Sequence, residues 1–158
     1  MWLFKKPEKE PEPEELFKKY FSFLVEAYGF TYTPWCYANG RLMINLGIGH
    51  KSPRVFIAYA GEPDFTEVAL HRLIQYLGGK IKKIYYSDHS VEYNIRSVAE
   101  RLQEYAPRIV HHIDDWWLPV HNYQYELTKK EYEESGQLND FLSSYKRDYD
   151  YLKSKGAI

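Results

Sequence analysis

Cysteine is all but absent from this chain: Cys36 is the single one. A framework of intramolecular disulfides is thereby excluded, and the usage fits a reducing cytosol. Long apolar runs are missing as well. No stretch approaches the roughly 18 residues that a membrane-spanning helix requires, and Met1-Trp2-Leu3-Phe4 followed by Lys5-Lys6 is too short, and ordered the wrong way round, for a secretory signal. Excess charge of one sign is lacking too: 21 basic residues stand against 22 acidic ones, a net charge of −1. A nucleic-acid-binding domain normally announces itself by a strongly basic surface, so neither nucleic acid nor a membrane surface is expected as partner. The expected location is the cytoplasm.

The usual signatures of chemistry are equally scarce. There is no phosphate-binding glycine loop, no nucleophile elbow, no paired-cysteine zinc spacing and no pair of histidines at the spacing of a helical zinc site. This weighs against the common enzyme classes, and no metal, cofactor or catalytic residue is assigned.

Aromatic residues are what the chain has in excess: 16 tyrosines, 8 phenylalanines and 4 tryptophans in 158 residues. Tyrosine packs at the edge of a core and also anchors interfaces, having large area, few rotors and a polar tip. Core-edge packing is the ordinary explanation for most of them.

The stretch Phe30 to Ala60 reads as a three-stranded antiparallel meander. Leu42, Ile44, Leu46 and Ile48 alternate with Met43, Asn45 and Gly47, the two-residue period of a strand with one buried face. Asn39-Gly40 is a type I′ turn candidate, so Thr31 to Tyr37 is expected to fold back as the preceding strand, and Pro34, which lacks an N–H, places that strand at an edge. The third strand, Arg54 to Ala60, puts Val55, Ile57 and Tyr59 on one side and Phe56 and Ala58 on the other.

Around the meander the periodicity is helical. Residues 1–13, rich in Glu, Lys and Pro, form a flexible lead-in, and 14–158 a single α+β domain. From Glu14, the residues Leu16, Phe17, Tyr20, Phe21, Leu24, Val25 and Tyr28 predict one amphipathic helix closed by Gly29. Asp64 with Glu67 predicts a capped start for a second helix ending at Gly78-Gly79. Lys80 to Tyr86 fits neither period well and reads as either a short strand or an irregular connector. A third helix has Val91, Ile95, Val98, Leu102 and Tyr105 inside, with caps at Ser87 to Ser90 and a break near Pro107. The next carries Ile109, Ile113, Trp116, Val120, Tyr123 and Leu127 across a bend at Pro119, and the last, Gln137 to Lys153, carries Leu138, Phe141, Leu142, Tyr145, Tyr149 and Leu152. The second half is thus mainly helical.

Four small features could carry function. On a continuous helix, His111 and Asp115 would lie one turn apart, with His121 and Asn122 further along, but three or four converging ligands are wanting. An ordinary solvated helix face explains them better. Lys80, Lys82 and Lys83 read as a solvated loop before an anionic contact. Cys36, beside Trp35 with no sequence-adjacent base, reads as structural before nucleophilic. Trp116-Trp117 puts one indole in the apolar stripe and the other at its margin.

The opening helix ending in Glu26-Ala27-Tyr28-Gly29-Phe30, the meander after it, and the helix Ser90 to Tyr105 followed by Ala106 to Trp117 together resemble small bacterial immunity proteins of polymorphic or contact-dependent toxin systems and their uncharacterised relatives. The resemblance implies a non-enzymatic, protein-binding inhibitor whose partner is a cognate toxin. It transfers no binding residue, because such families differ most where they touch their toxins. A structural or adaptor protein, of phage origin for example, is the second reading, and an unrecognised metal-dependent enzyme the third. Within the protein-binding reading the aromatics left over from the buried stripes, Tyr37, Tyr93, Trp117, Tyr125, Tyr132 and Tyr151, are expected to form one contiguous patch. Trp117, Tyr125 and Tyr93 are the assigned contact residues.

Overall fold

Alternation in the middle of the meander dictates a sheet with one greasy face, and the rest of the chain is arranged to cover it. The computed structural model describes residues 11–79 and 89–158. Among these, two short helices, α1 (Pro13–Tyr20) and α2 (Phe23–Tyr28), lead into strands β1 (Thr31–Thr33), β2 (Cys36–Ala38), β3 (Leu42–Gly49), β4 (Ser52–Tyr59) and β5 (Val68–Ala69). Helices α3 (Leu70–Tyr76), α4 (Val91–His111), α5 (Ile113–Glu134), α6 (Leu138–Ser144) and α7 (Lys146–Ser154) follow. The five strands form one antiparallel sheet in sequence order. The fold is α+β, as expected.

The central register follows the sequence. Leu42 faces Tyr59, Ile44 faces Ile57 and Leu46 faces Val55 across β3 and β4, and five of these six side chains are buried, Tyr59 being only partly so. Tyr37 and Val68 extend the same row on either side, and α4 crosses this face with Ile95, Val98, Leu102 and Ile109 inside. Asn94 anchors the crossing by donating from Nδ2 to the Lys51 carbonyl at the β3–β4 hairpin (2.9 Å). On the opposite face Met43, Asn45, Phe56 and Ala58 are half-buried.

Six expectations need correction. The first helix is two: the chain breaks at Phe21-Ser22, where the Ser22 hydroxyl donates to the Lys19 carbonyl and competes with the backbone ladder. The first strand is a hairpin, because Pro34 and Trp35, the latter at φ 63°, reverse the chain between β1 and β2. β1 is the sheet edge. In the next turn only Gly40 has positive φ (86°), while Asn39 Oδ1 accepts from the amides of Arg41 and Leu42; the two-residue loop is therefore Gly40-Arg41, with glycine in the first central position as in a II′ turn.

The helix expected from Asp64 begins six residues later. Asp64–Thr66 is one 3-10 turn, closed by the Thr66 hydroxyl on the Pro63 carbonyl (2.6 Å), and Val68–Ala69 adds to β4 as a fifth strand. Burial of Val68 in the sheet row outweighs the helical pattern there. The end at Gly78, φ 86°, is as expected.

α4 runs through Pro107 and breaks at His112 instead. Pro107 and the carbonyl-bearing Gln103 lie on the exposed side, where water takes the place of the lost hydrogen bond. The corner at His112 is closed by Trp116, whose Nε1 donates to the Ile109 carbonyl (3.2 Å). The last segment is two helices, and its Leu142 and Tyr149 are exposed. It buries Phe141, Tyr151 and Leu152 with Tyr125 in a small second cluster beside the main core. The Lys80 to Tyr86 reading, and the lead-in up to residue 10, lie outside the described residues.

Candidate protein-binding site

Of the three assigned contact residues, only Tyr93 reaches the surface. Ser90 caps α4 by accepting from the Tyr93 amide (3.1 Å), which sets the first turn and turns the Tyr93 ring outward, 39 % exposed. His89 stacks on it at 4.2 Å and the Arg96 guanidinium lies over it at 5.6 Å. The phenol thus carries both a ring and a cation against its faces.

Trp117 and Tyr125 are core residues, 4 % and 8 % exposed. The Trp117 ring meets Tyr59 edge-on at 5.4 Å and its Nε1 donates to the Tyr151 hydroxyl at 3.1 Å. Tyr125 packs on Phe141 at 5.0 Å. Tyr37 and Tyr151 are buried too and Tyr132 partly so, and the expected contiguous patch does not form. The physical reason is the second cluster: positions 117, 121 and 125 make a second helical stripe on α5, and α6 and α7 fold back to cover it.

Beside Tyr93 a cleft of about 670 Å³ opens between α4, the start of α3 and the margin of the sheet. Its floor is apolar, from Val55, Leu70, Ile74 and Val98, and its rim on α4 is polar, from Ser97 to the Arg101–Glu104 ion pair at 3.0 Å. One wall is strand backbone. β5 pairs only with Phe56 and Ile57, so the outer edge of β4 from Pro53 to Val55 has no strand partner among the described residues. An unpaired edge offers main-chain hydrogen bonds to an extended chain, and an apolar floor offers room for its alternate side chains. The charge around it is mixed, with Arg54, Arg96 and Arg101 against Glu100 and Glu104.

The His111 to Asp115 cluster is not one helical face. His111 ends α4 and packs near Tyr28 (5.8 Å), His112 Nδ1 lies 3.4 Å from Asp115, and Asp114 is held by the Tyr59 hydroxyl (2.6 Å) and Arg41 (2.7 Å). Those two hydrogen bonds hold the Asp114 carboxyl below its ordinary range. Among the described residues no three His, Cys, Asp or Glu side chains converge as a metal site would need. The Cys36 thiol is half-buried, and that burial pushes its pKa up, away from the reactive thiolate.

Sequence reasoning missed the cleft altogether, because a strand edge that lacks a partner among the described residues leaves no trace in side-chain pattern. It named His121 only as a distant member of the His111 cluster, whereas the structure buries it with Trp117 and Tyr125 on one side of α5. The chain matches no protein-family model, no curated protein and no solved structure. Among the described residues no helix is long and apolar enough to cross a membrane.

Proposed function

We propose that this chain is a non-enzymatic protein-binding protein of immunity type, which neutralises a cognate bacterial toxin, and that it receives an extended segment of that partner in the cleft beside Tyr93. The cleft carries the reading. An exposed tyrosine, an apolar floor and a strand edge that has no strand partner among the described residues meet in one place, and together they fit a peptide chain, which brings backbone hydrogen bonds and alternating side chains at once. The opening helix, Tyr28-Gly29-Phe30 and the strands after it supply the resemblance to immunity proteins.

Coexpression with any toxin domain found encoded beside this chain tests both halves. Wild type is expected to restore growth and to co-purify in stoichiometric complex, and Ser97→Trp, which fills the cleft from α4, is expected to lose both while remaining folded. Undiminished toxicity with wild-type protein present, or flanking genes that encode no toxin, overturns the immunity reading. A complex indifferent to Ser97→Trp overturns the assignment of the cleft.

A further inference from the structure

Between Leu138 and Ile158 only Phe141, Tyr151 and Leu152 are buried, and all three belong to the second cluster. The helices that carry them, α6 and α7, pack chiefly on α5 and on each other. Their cluster shares one member with the main core, the partly buried Leu118. Beyond α5, α7 is fastened to the loop after β4: Glu62 accepts from the Tyr151 hydroxyl at 2.8 Å and pairs with Lys155 at 3.4 Å, and the Arg147 guanidinium lies over the Phe65 ring at 4.5 Å. The link to α5 is short. Gly136, at φ 74°, follows the helix, and the Gln137 amide donates to the Tyr132 carbonyl at 2.7 Å.

An element's free energy of opening follows the buried contact it gives up, and a unit with little of it opens well below the free energy of global unfolding. When α6 and α7 leave, one small cluster is lost. The sheet and α4 keep theirs, since Leu42, Ile44, Ile57, Ile95 and Leu102 have no exposed surface and all belong to the main core.

We propose that α6 and α7 form a strap, one cooperative unit that opens from α5 while the sheet and α4 remain folded, and so uncovers the row Trp117, His121 and Tyr125. These three lie four residues apart on one side of α5, and each is covered in part by the strap. Trp117 Nε1 donates to the Tyr151 hydroxyl at 3.1 Å, the His121 ring lies 6.0 Å from that of Tyr151, and Tyr125 packs on Phe141 at 5.0 Å. Opening leaves α5 in place, because Trp117 keeps Tyr59 at 5.4 Å and Trp116 at 5.8 Å on the side of the main core. The strap is independent of what binds in the cleft, which is bounded by α3, α4 and the sheet margin.

Amide hydrogen exchange on the intact chain at neutral pH, followed from zero to low denaturant where reclosing outpaces exchange, tests the division. Amides of α6 and α7, those of Phe141 and Leu152 among them, are expected to share one opening that is about tenfold or more as frequent as the opening that releases Ile44, Ile57 and Leu102. Ile44→Val separates the two units. It is expected to speed exchange at the sheet and α4 amides by about 2- to 10-fold and to leave the α6 and α7 amides at wild-type rates, since Ile44 stays packed when only the strap opens. A single opening shared by all of these amides, an equal effect of Ile44→Val on both sets, or α6 and α7 amides with no protection at all would each overturn the proposal.

Discussion

The indole N–H of Trp117 on α5 donates to the hydroxyl of Tyr151 on α7 at 3.1 Å, and that hydroxyl in turn donates to Glu62 Oε2 at 2.8 Å. One short chain of hydrogen bonds thus runs from the core, through the C-terminal helix, to the loop after β4. Burial pushes the Tyr151 phenol up to about 12, so it remains a donor at neutral pH.

Tyr151→Phe keeps the ring and removes the acceptor for Trp117. A buried donor left unpaired costs about 1–3 kcal/mol. Denaturant unfolding should register a loss in that range, and in the Trp117→Phe background the same change should cost distinctly less, because no donor is then stranded.

Acid should loosen the second cluster through His121. Its pKa is lowered by burial to about 4 in the folded chain against an ordinary 6.5 once the chain unfolds, so the neutral ring's contribution is fully present above pH 6.5 and is lost as pH falls towards 4. The shift corresponds to about 3 kcal/mol at most. Facing groups are Glu62, itself paired with Lys155 at 3.4 Å, and Asp148, whose pKa burial raises. Stability measured between pH 7 and pH 4 should fall more steeply in wild type than in His121→Phe, which has nothing to protonate there.

Ile44 has no exposed surface and pairs with Ile57 in the middle of the sheet. Its truncation to alanine should cost about 2–5 kcal/mol. Val25→Ala, at an exposed position, is the control and should stay within about 0.5 kcal/mol of wild type in the same unfolding experiment.

Tyr93 and Trp117 should behave oppositely. Tyr93→Ala is expected to leave stability within about 0.5 kcal/mol while weakening the partner complex by about 2 kcal/mol or more, the scale of an interface anchor. Trp117→Ala should destabilise the fold by about 3–5 kcal/mol. Thermal unfolding and titration calorimetry of both variants separate the two, and a stable Trp117→Ala protein that has lost binding would reverse the assignment.

Local pattern alone determined the strands of the sheet's centre and its buried face, since a two-residue period admits only one register once Leu42, Ile44 and Leu46 must share a side. It also determined the helix ends at Gly29 and Gly78, where the left-handed conformation is needed, and the α4 cap at Ser90. Tertiary structure decided the rest. Val68 looked helical by spacing, but a sheet edge was there to receive it, and Pro107 stayed inside a helix because its missing bond faces water. Trp117 and Tyr125 looked marginal because a stripe on one helix says nothing about a second element folding back over it. The cleft was invisible for a related reason: one wall is strand edge without a strand partner among the described residues, which depends on how far β5 extends along β4 and not on any residue in the wall.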